Sequence, residues 1–82
     1  MHPLTVLFET DPKAAVKAVA ESYLKASCEI TATAEDLDIS RFTLHGWIRS
    51  WDGLGKALAE ARSAYAKREL ERFKTQRTGL RR

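Results

Sequence analysis

The side chains best suited to hold an anionic partner lie close together in the segment 36–51, DLDISRFTLHGWIRSW. Arginine presents a fork of N–H donors that matches phosphate and other planar acceptors, and hydroxyl and imidazole groups add single hydrogen bonds. These residue types recur here at intervals that keep several of them on one side of a helix. The polar members are Ser40, Arg41, Thr43, His45 and Arg49.

The sequence contains no comparable cluster of residues that could catalyse a reaction. The two histidines, His2 and His45, lie far apart, and neither has a zinc-site spacing to Cys28, which has no CxxC partner. A glycine-rich phosphate loop after a strand is absent from the sequence, and the carboxylates fall where solvating helical residues would. The sequence therefore predicts no enzyme, no metal site and no cofactor.

Length and cysteine content narrow the class of protein. A chain of 82 residues makes one domain with little interior for a substrate pocket, so no small-molecule substrate is expected. Cys28 alone cannot form an intrachain disulfide, and 1–8 lacks a basic leader, which favours a cytoplasmic location. The apolar runs are too short to cross a membrane. A small core without disulfides often gains stability from a second copy, so a homodimer is expected.

Charge is distributed unevenly along the chain. Residues 1–40 carry seven acids against three lysines, whereas residues 41–82 carry eleven basic residues against four acids. This asymmetry is typical of a domain that meets a polyanion through one part of its surface. The alternative interpretation is a solubilising surface with a basic tail.

The N-terminal half is predicted to contain an arm and an amphipathic helix. Residues 1–10 alternate apolar and polar side chains, which suits a short strand or an extended arm, and we interpret them as an arm. Asp11 and Pro12 form a helix start, because aspartate caps free amides and proline suits the first turn. The helical core is expected over 11–52, with its first helix ending near 26–28.

Two shorter helices should follow, joined by a tight turn. The first is expected over 31–37, capped by Thr31 or Thr33, and the turn over 38–40. Ser40 is a good N-cap for the second helix, predicted over 41–51, whose inner stripe is Leu44, Trp47 or Ile48, and Trp51.

The C-terminal part is rich in strong helix formers. Gly53 is placed to end the preceding helix, and a long helix is predicted over 53–76. Its apolar face rotates along its length, from Leu58 and Tyr65 towards Leu70 and Phe73, so its second half is interpreted as a dimer interface or as a charged helix in solvent. Residues 77–82 are interpreted as a mobile basic tail.

The run Ile30–Ile48, ITATAEDLDISRFTLHGWI, resembles the helix-turn-helix of Fis-type and transposase-like DNA-binding domains. A small residue inside the first helix, a turn into I-S-R-x-T-L, and apolar anchors in the second helix carry the resemblance. It covers about a quarter of the chain, and departs from the family at Asp38, where glycine is common, and at Gly46, where a basic residue is common. The anchors are Ala34, Leu37, Ile39, Leu44 and Trp47.

This resemblance implies an all-α fold, a small helical bundle containing a helix-turn-helix over about 30–51 with a long C-terminal helix. The recognition helix, 41–51, would enter the major groove of double-stranded DNA. Arg41 would contact guanine, Ser40 and Thr43 would donate hydrogen bonds, and Phe42 would touch a thymine methyl. His45 and Arg49 would make contacts further along the helix. The alternatives are ordinary surface roles for Arg41, His45 and Arg49, and packing of Phe42 against the protein itself.

Two classes of function therefore follow. The first is a cytoplasmic, sequence-specific double-stranded DNA-binding protein, a dimeric transcriptional regulator or architectural factor. The second is a helix-turn-helix adaptor or terminase-like assembly module of a phage or plasmid, in which the helices mediate oligomerisation. Strongly salt-dependent binding to duplex DNA would distinguish the first from the second.

Overall fold

The protein is all-α, as predicted from the sequence. The structure, a computed structural model, describes the backbone of residues 2–80 and the side chains of residues 2–73. Within that range it contains helices and turns and no strand. The helices are α1 (Pro3–Thr10), α2 (Pro12–Lys25), α3 (Ile30–Asp36), α4 (Arg41–Ser50) and α5 (Leu54–Leu80).

The prediction of an N-terminal arm over 1–10 is wrong for the described residues, because Pro3–Thr10 form helix α1. Proline occupies the first helical position, and the His2 ring accepts a hydrogen bond from the Leu4 amide at 3.1 Å, which caps the helix. Leu4, Leu7 and Phe8 are spaced by three and four residues and pack against the core. A helix lets these three side chains pack on the core together, whereas the alternation of apolar and polar residues that suggested an arm does not determine the structure here.

Helix α2 begins where the sequence predicts. The Asp11 carboxylate accepts a hydrogen bond from the Ala14 amide at 3.2 Å, while the Asp11 amide donates to Leu7 O and ends α1. The helix ends at Lys25, and Ser27 and Cys28 then adopt positive φ values of 58° and 60°. These left-handed residues turn the chain sharply into α3.

Helices α3 and α4 are joined by a short turn, as expected for 38–40. Helix α3 is capped by Glu29, which accepts from the Ala32 amide at 3.3 Å, and not by Thr31 or Thr33. Thr33 is buried and donates to Glu29 O at 2.7 Å, which explains a threonine inside the core. In the turn Asp38 has φ of 59°, and the Ile39 amide donates to Ala34 O at 2.9 Å.

Asp38 offers a test of this turn through stability. A left-handed φ strains a residue that has a Cβ, so we expect Asp38→Gly to raise the free energy of unfolding by about 0.5–1 kcal/mol. The midpoint of thermal unfolding, followed by circular dichroism, should rise by a few degrees. Glu21→Gly, on the exposed side of α2, is the matched control and should lower stability by about 1 kcal/mol. A loss of stability in Asp38→Gly similar to that of the control would contradict the turn geometry.

The core lies between α2 and the first half of α5, and α4 closes it by packing against α5 and α3. All the inner-stripe residues predicted for the second helix, Leu44, Trp47 and Trp51, are buried. The small size of Ala34, which is 2% exposed, lets α3 pack closely against its neighbours. The buried apolar side chains are Ala15, Val19, Tyr23, Ala34, Leu44, Trp47, Trp51, Leu54, Leu58 and Ala61.

Helix α5 extends well beyond this core. It begins at Leu54, directly after Gly53 with φ of 87°, and reaches Leu80, beyond the predicted end at 76. Of its side chains up to Phe73, the buried ones all lie in the first half of the helix, and the molecule is 56 Å long but 21 Å and 17 Å across. The predicted basic tail, 77–82, overlaps the helix backbone up to Leu80; its side chains, and Arg81 and Arg82 entirely, lie outside the described residues. Among the described helices, none is both long and apolar enough to span a membrane.

Candidate interface on helix α4

Helix α4 presents a polar and aromatic face to solvent. Arg41, His45 and Arg49 are exposed, and their side chains have no hydrogen-bond or ion-pair partner among the described residues. Phe42 is 82% exposed, the highest value among the large apolar residues within 2–73. The structure thus excludes packing of Phe42 against the protein, which was one of the two sequence-based interpretations.

The back of α4 is held by a column of four rings. The Trp47 and Trp51 rings stack at 4.4 Å, the Phe8 ring stacks on Trp51 at 4.4 Å, and the His2 ring meets Trp47 edge-on at 5.4 Å. Helix α1 and its cap contribute the two outer rings, and His2 Nε2 lies 2.7 Å from Leu37 O in the turn before α4. Because Nδ1 of this ring accepts from the Leu4 amide, Nε2 carries the proton and donates to Leu37 O. The column therefore fixes both α4 and the turn that starts it.

Ser40 and Thr43 are engaged with each other at the start of α4. The Thr43 amide donates to Ser40 Oγ at 3.0 Å, and Ser40 Oγ donates to Thr43 Oγ1 at 2.9 Å. Ser40 is therefore the N-cap, as predicted, and most of its hydrogen-bonding capacity is used within the helix. The backbone amides of Arg41 and Phe42 remain at the positive end of the helix dipole.

Gly46 lies on the outer face between Phe42 and Arg49, and nothing in the part of the chain that the structure describes requires a glycine there. A Cβ at this position would meet no heavy atom within 4 Å, and φ is not positive. Glycine inside a helix costs about 0.5–1 kcal/mol relative to alanine. The missing side chain leaves a notch where the backbone of α4 is accessible to another molecule.

Acidic residues close to the start of α4 reduce the positive potential around its arginines. Asp38 precedes Arg41 by three residues, and Glu35 is exposed at the end of α3. Asp36 is engaged elsewhere, because it accepts a hydrogen bond from Ser22 Oγ at 2.6 Å and lies 4.0 Å from Lys25 Nζ. Asp52 follows Arg49 by three residues, so exposed acidic side chains flank the arginine-bearing face of α4 at both ends.

Other candidate sites are poor in reactive groups. Within residues 2–73, no three His, Cys, Asp or Glu side chains come together in a way that could hold a metal ion. Burial raises the pKa of the Cys28 thiol above its ordinary value, and the nearby Arg62 guanidinium offsets part of that rise. Cys28 is therefore protonated near neutral pH and is a weak nucleophile.

Sequence reasoning missed the two residues of the N-terminal segment that support the interface. The sequence alone suggests for His2 only a possible metal-binding or catalytic role, and for Phe8 only a place in an arm. The signal was present in the pair His2 and Pro3 followed by apolar residues at helical spacing. The stacking of these rings on Trp47 and Trp51 depends on tertiary contacts that no local pattern encodes.

Comparison with known proteins adds no relative. No protein-family model matches the chain, and searches of curated proteins and of solved structures gave no significant match.

Proposed function

We propose that the protein binds double-stranded DNA in a sequence-specific manner, with α3 and α4 as a helix-turn-helix and α4 as the recognition helix. The observation that carries this proposal is the division of α4 into two faces. One face is fixed by buried Leu44, Trp47 and Trp51, and the other exposes Phe42, Arg41 and Arg49 without partners among the described residues. Such unpartnered donors on a rigid helix suit the major groove.

Each exposed residue has a distinct part in the proposed complex. Arg41 and Arg49 would donate to guanine edges or to phosphates, and Phe42 would contact a thymine methyl group. The notch at Gly46 lets the helix backbone approach the base edges closely. Thr43 and His45 would add hydrogen bonds, while Ser40 mainly caps the helix. We further propose a dimeric, cytoplasmic regulator or architectural factor.

An assembly module is the second candidate, and one observation favours it. Leu70 and Phe73 are 54% and 57% exposed on the part of α5 that lies beyond the core. Leu70 and Phe73 are one helical turn apart and form a continuous exposed apolar patch, which favours an interface with another polypeptide. An adaptor or packaging component would use this interface and bind DNA weakly, without regard to sequence.

Selection of bound fragments from a random duplex library separates the two candidates. The proposed function predicts an enriched consensus and binding that weakens steeply as salt rises, because Lys and Arg displace counterions from phosphates. An assembly module predicts no consensus and little retention at physiological salt. Absence of enrichment after several rounds, with correctly folded protein, would overturn the DNA-binding proposal.

A further inference from the structure

The exposed part of α5 carries a second stripe, separate from the one that faces the core. Its residues recur at steps of three and four, the spacing by which one helix packs along another. At 3.6 residues per turn this stripe lies roughly 130° around α5 from buried Leu54, Leu58 and Ala61. All of its members are exposed, and they are Ala59, Ser63, Ala66, Leu70 and Phe73.

The first half of this stripe borders an apolar groove of about 530 Å³. Tyr23 of α2, Ile30 of α3 and Ile48 of α4 line the groove together with Leu58 and Arg62 of α5. Gly55 and Ala59 line the α5 side of the groove with little or no side chain, and a Cβ at Gly55 would make an ordinary contact with Ile48 Cγ2 at 3.8 Å. Ser63 and Ala66 also line the groove, so groove and stripe are continuous.

Side-chain sizes along the stripe are complementary about Ala66. Ala59, seven residues before Ala66, has a small methyl side chain beside the groove. Phe73, seven residues after Ala66, has a large exposed ring. An antiparallel second α5 centred on Ala66 would therefore place Phe73 opposite Ala59. Leu70 would lie beside the small residue Ser63 in the same way. A parallel pair would instead place the two Phe73 rings together and leave the groove unfilled.

We infer that two copies of this chain pair through antiparallel α5 helices centred on Ala66, with Phe73 of each copy seated in the groove of the other. The occupant is a second copy because one chain supplies both the groove, which α5 forms together with α2, α3 and α4, and the exposed Phe73 ring whose position along α5 matches that groove. A two-fold axis at Ala66 then buries both rings and both grooves at once. The central contacts are small, which allows the helices to approach closely.

Flanking charges support this register. In the antiparallel pair Arg62 of one copy lies beside Glu69 of the second copy, and symmetry repeats the pair. In the single chain Glu69 has the exposed contact with Arg72 at 3.2 Å, which is weak. Lys67 of one copy lies near Lys67 of the second copy, and this one repulsive pair slightly opposes association. The two attractive pairs between Arg62 and Glu69 outweigh it.

The pairing also positions the two α4 helices, and this step rests on the proposed DNA-binding function. Helix α4 contacts α5 at Gly55, eleven residues from Ala66, or about 16 Å at 1.5 Å per residue. The two contact points are therefore about 33 Å apart along α5, close to one turn of duplex DNA. Since the core stripe and the pairing stripe diverge by roughly 130°, a two-fold axis perpendicular to the helix pair leaves both cores on the same side.

Sedimentation of the full chain without DNA tests the pairing directly. We expect a dimer at micromolar concentration, and we expect Phe73→Ala to raise its dissociation constant by about 100-fold or more, because two seated rings are lost. Phe42→Ala, which removes an equally large exposed ring outside the stripe, should leave the dimer unchanged. A wild-type monomer at tens of micromolar, or equal dissociation constants for Phe73→Ala and wild type, would overturn the inference. Circular dichroism confirms that both variants fold.

A charge exchange tests the direction of the helices. Arg62→Glu should weaken the antiparallel dimer about tenfold, since it places a second carboxylate against Glu69, and adding Glu69→Arg should restore it. In a parallel pair Arg62 would instead neighbour Lys67 of the second copy, so Arg62→Glu alone would tighten association. Tightening would overturn the antiparallel arrangement. Because neither experiment contains DNA, their outcome is independent of the proposed function.

Discussion

Replacing both Arg41 and Arg49 with alanine is expected to abolish sequence-specific binding to duplex DNA without affecting the fold. An arginine that pairs with a guanine contributes about 1–3 kcal/mol of discrimination, and each 1.4 kcal/mol is a tenfold change in affinity. A dimer loses these contacts in both half-sites, so affinity for a selected consensus should fall by at least about 100-fold. Fluorescence anisotropy with a labelled duplex measures this loss directly.

The single variants separate base contacts from phosphate contacts. Arg41→Ala should relax the preference at one base pair of each half-site. Loss of the two Arg49 phosphate contacts of a dimer should weaken binding to all sequences equally and lower the slope of log affinity against log salt concentration by about two. Arg68→Ala is the matched control, because Arg68 is also exposed but lies on α5 away from both the α4 face and the pairing stripe. All variants should unfold within about 0.5 kcal/mol of wild type, since surface substitutions of this kind remove little packing. Unchanged duplex affinity in the double variant would exclude α4 as the recognition helix.

Several elements were predictable because their determinants are local. Asp11 and Ser40 cap the helices that follow them through hydrogen bonds within three residues, so the starts of α2 and α4 are visible in sequence. The inner stripe of α4 follows from helical spacing alone, and its three members are buried. Asp38 adopts the left-handed φ expected of the turn position at which the resembling domains often have glycine.

The remaining elements depend on contacts between distant parts of the chain. Eight residues cannot form a stable helix alone, so α1 depends on Leu4, Leu7 and Phe8 packing on the core, which a local pattern does not show. The exposure of Phe42 also depends on contacts between distant parts of the chain. Periodicity within α4 does not show whether α1 or another element covers the ring. Its 82% exposure is a property of the assembled bundle.

The candidate interface was therefore only partly visible in sequence. Types and spacing identified Arg41, Thr43, His45 and Arg49, but they did not show that Ser40 and Thr43 bond to each other. Nor did they show that Gly46 lacks a packing role, a result that needs the positions of neighbouring atoms. The groove beside Ala59 likewise arises from residues of four helices, α2 to α5, that only the folded chain brings together.

The spacing of half-sites should control the affinity of the proposed dimer. With α4 contact points about 33 Å apart along α5, and helix axes roughly 8–10 Å apart, the separation is about 34 Å, which corresponds to half-site centres about 10–11 base pairs apart. Inserting five base pairs turns the second half-site to the opposite side of the duplex and adds about 17 Å at 3.4 Å per base pair. Only one subunit can then bind, and we expect affinity to fall by about 100-fold or more as the intramolecular contact is lost.

A monomeric variant provides the control for this measurement. Phe73→Ala should bind each half-site independently, so its affinity should be weak and the same at every spacing. Inserting ten base pairs returns both half-sites to the same side of the duplex but doubles the distance between them. A rigid antiparallel pair should therefore not regain its affinity on such a duplex. Recovery at that spacing would indicate a flexible connection and contradict the pairing at Ala66. A wild-type affinity that is insensitive to spacing, on duplexes carrying a verified consensus, would show that each α4 acts alone even though its sequence recognition is correct.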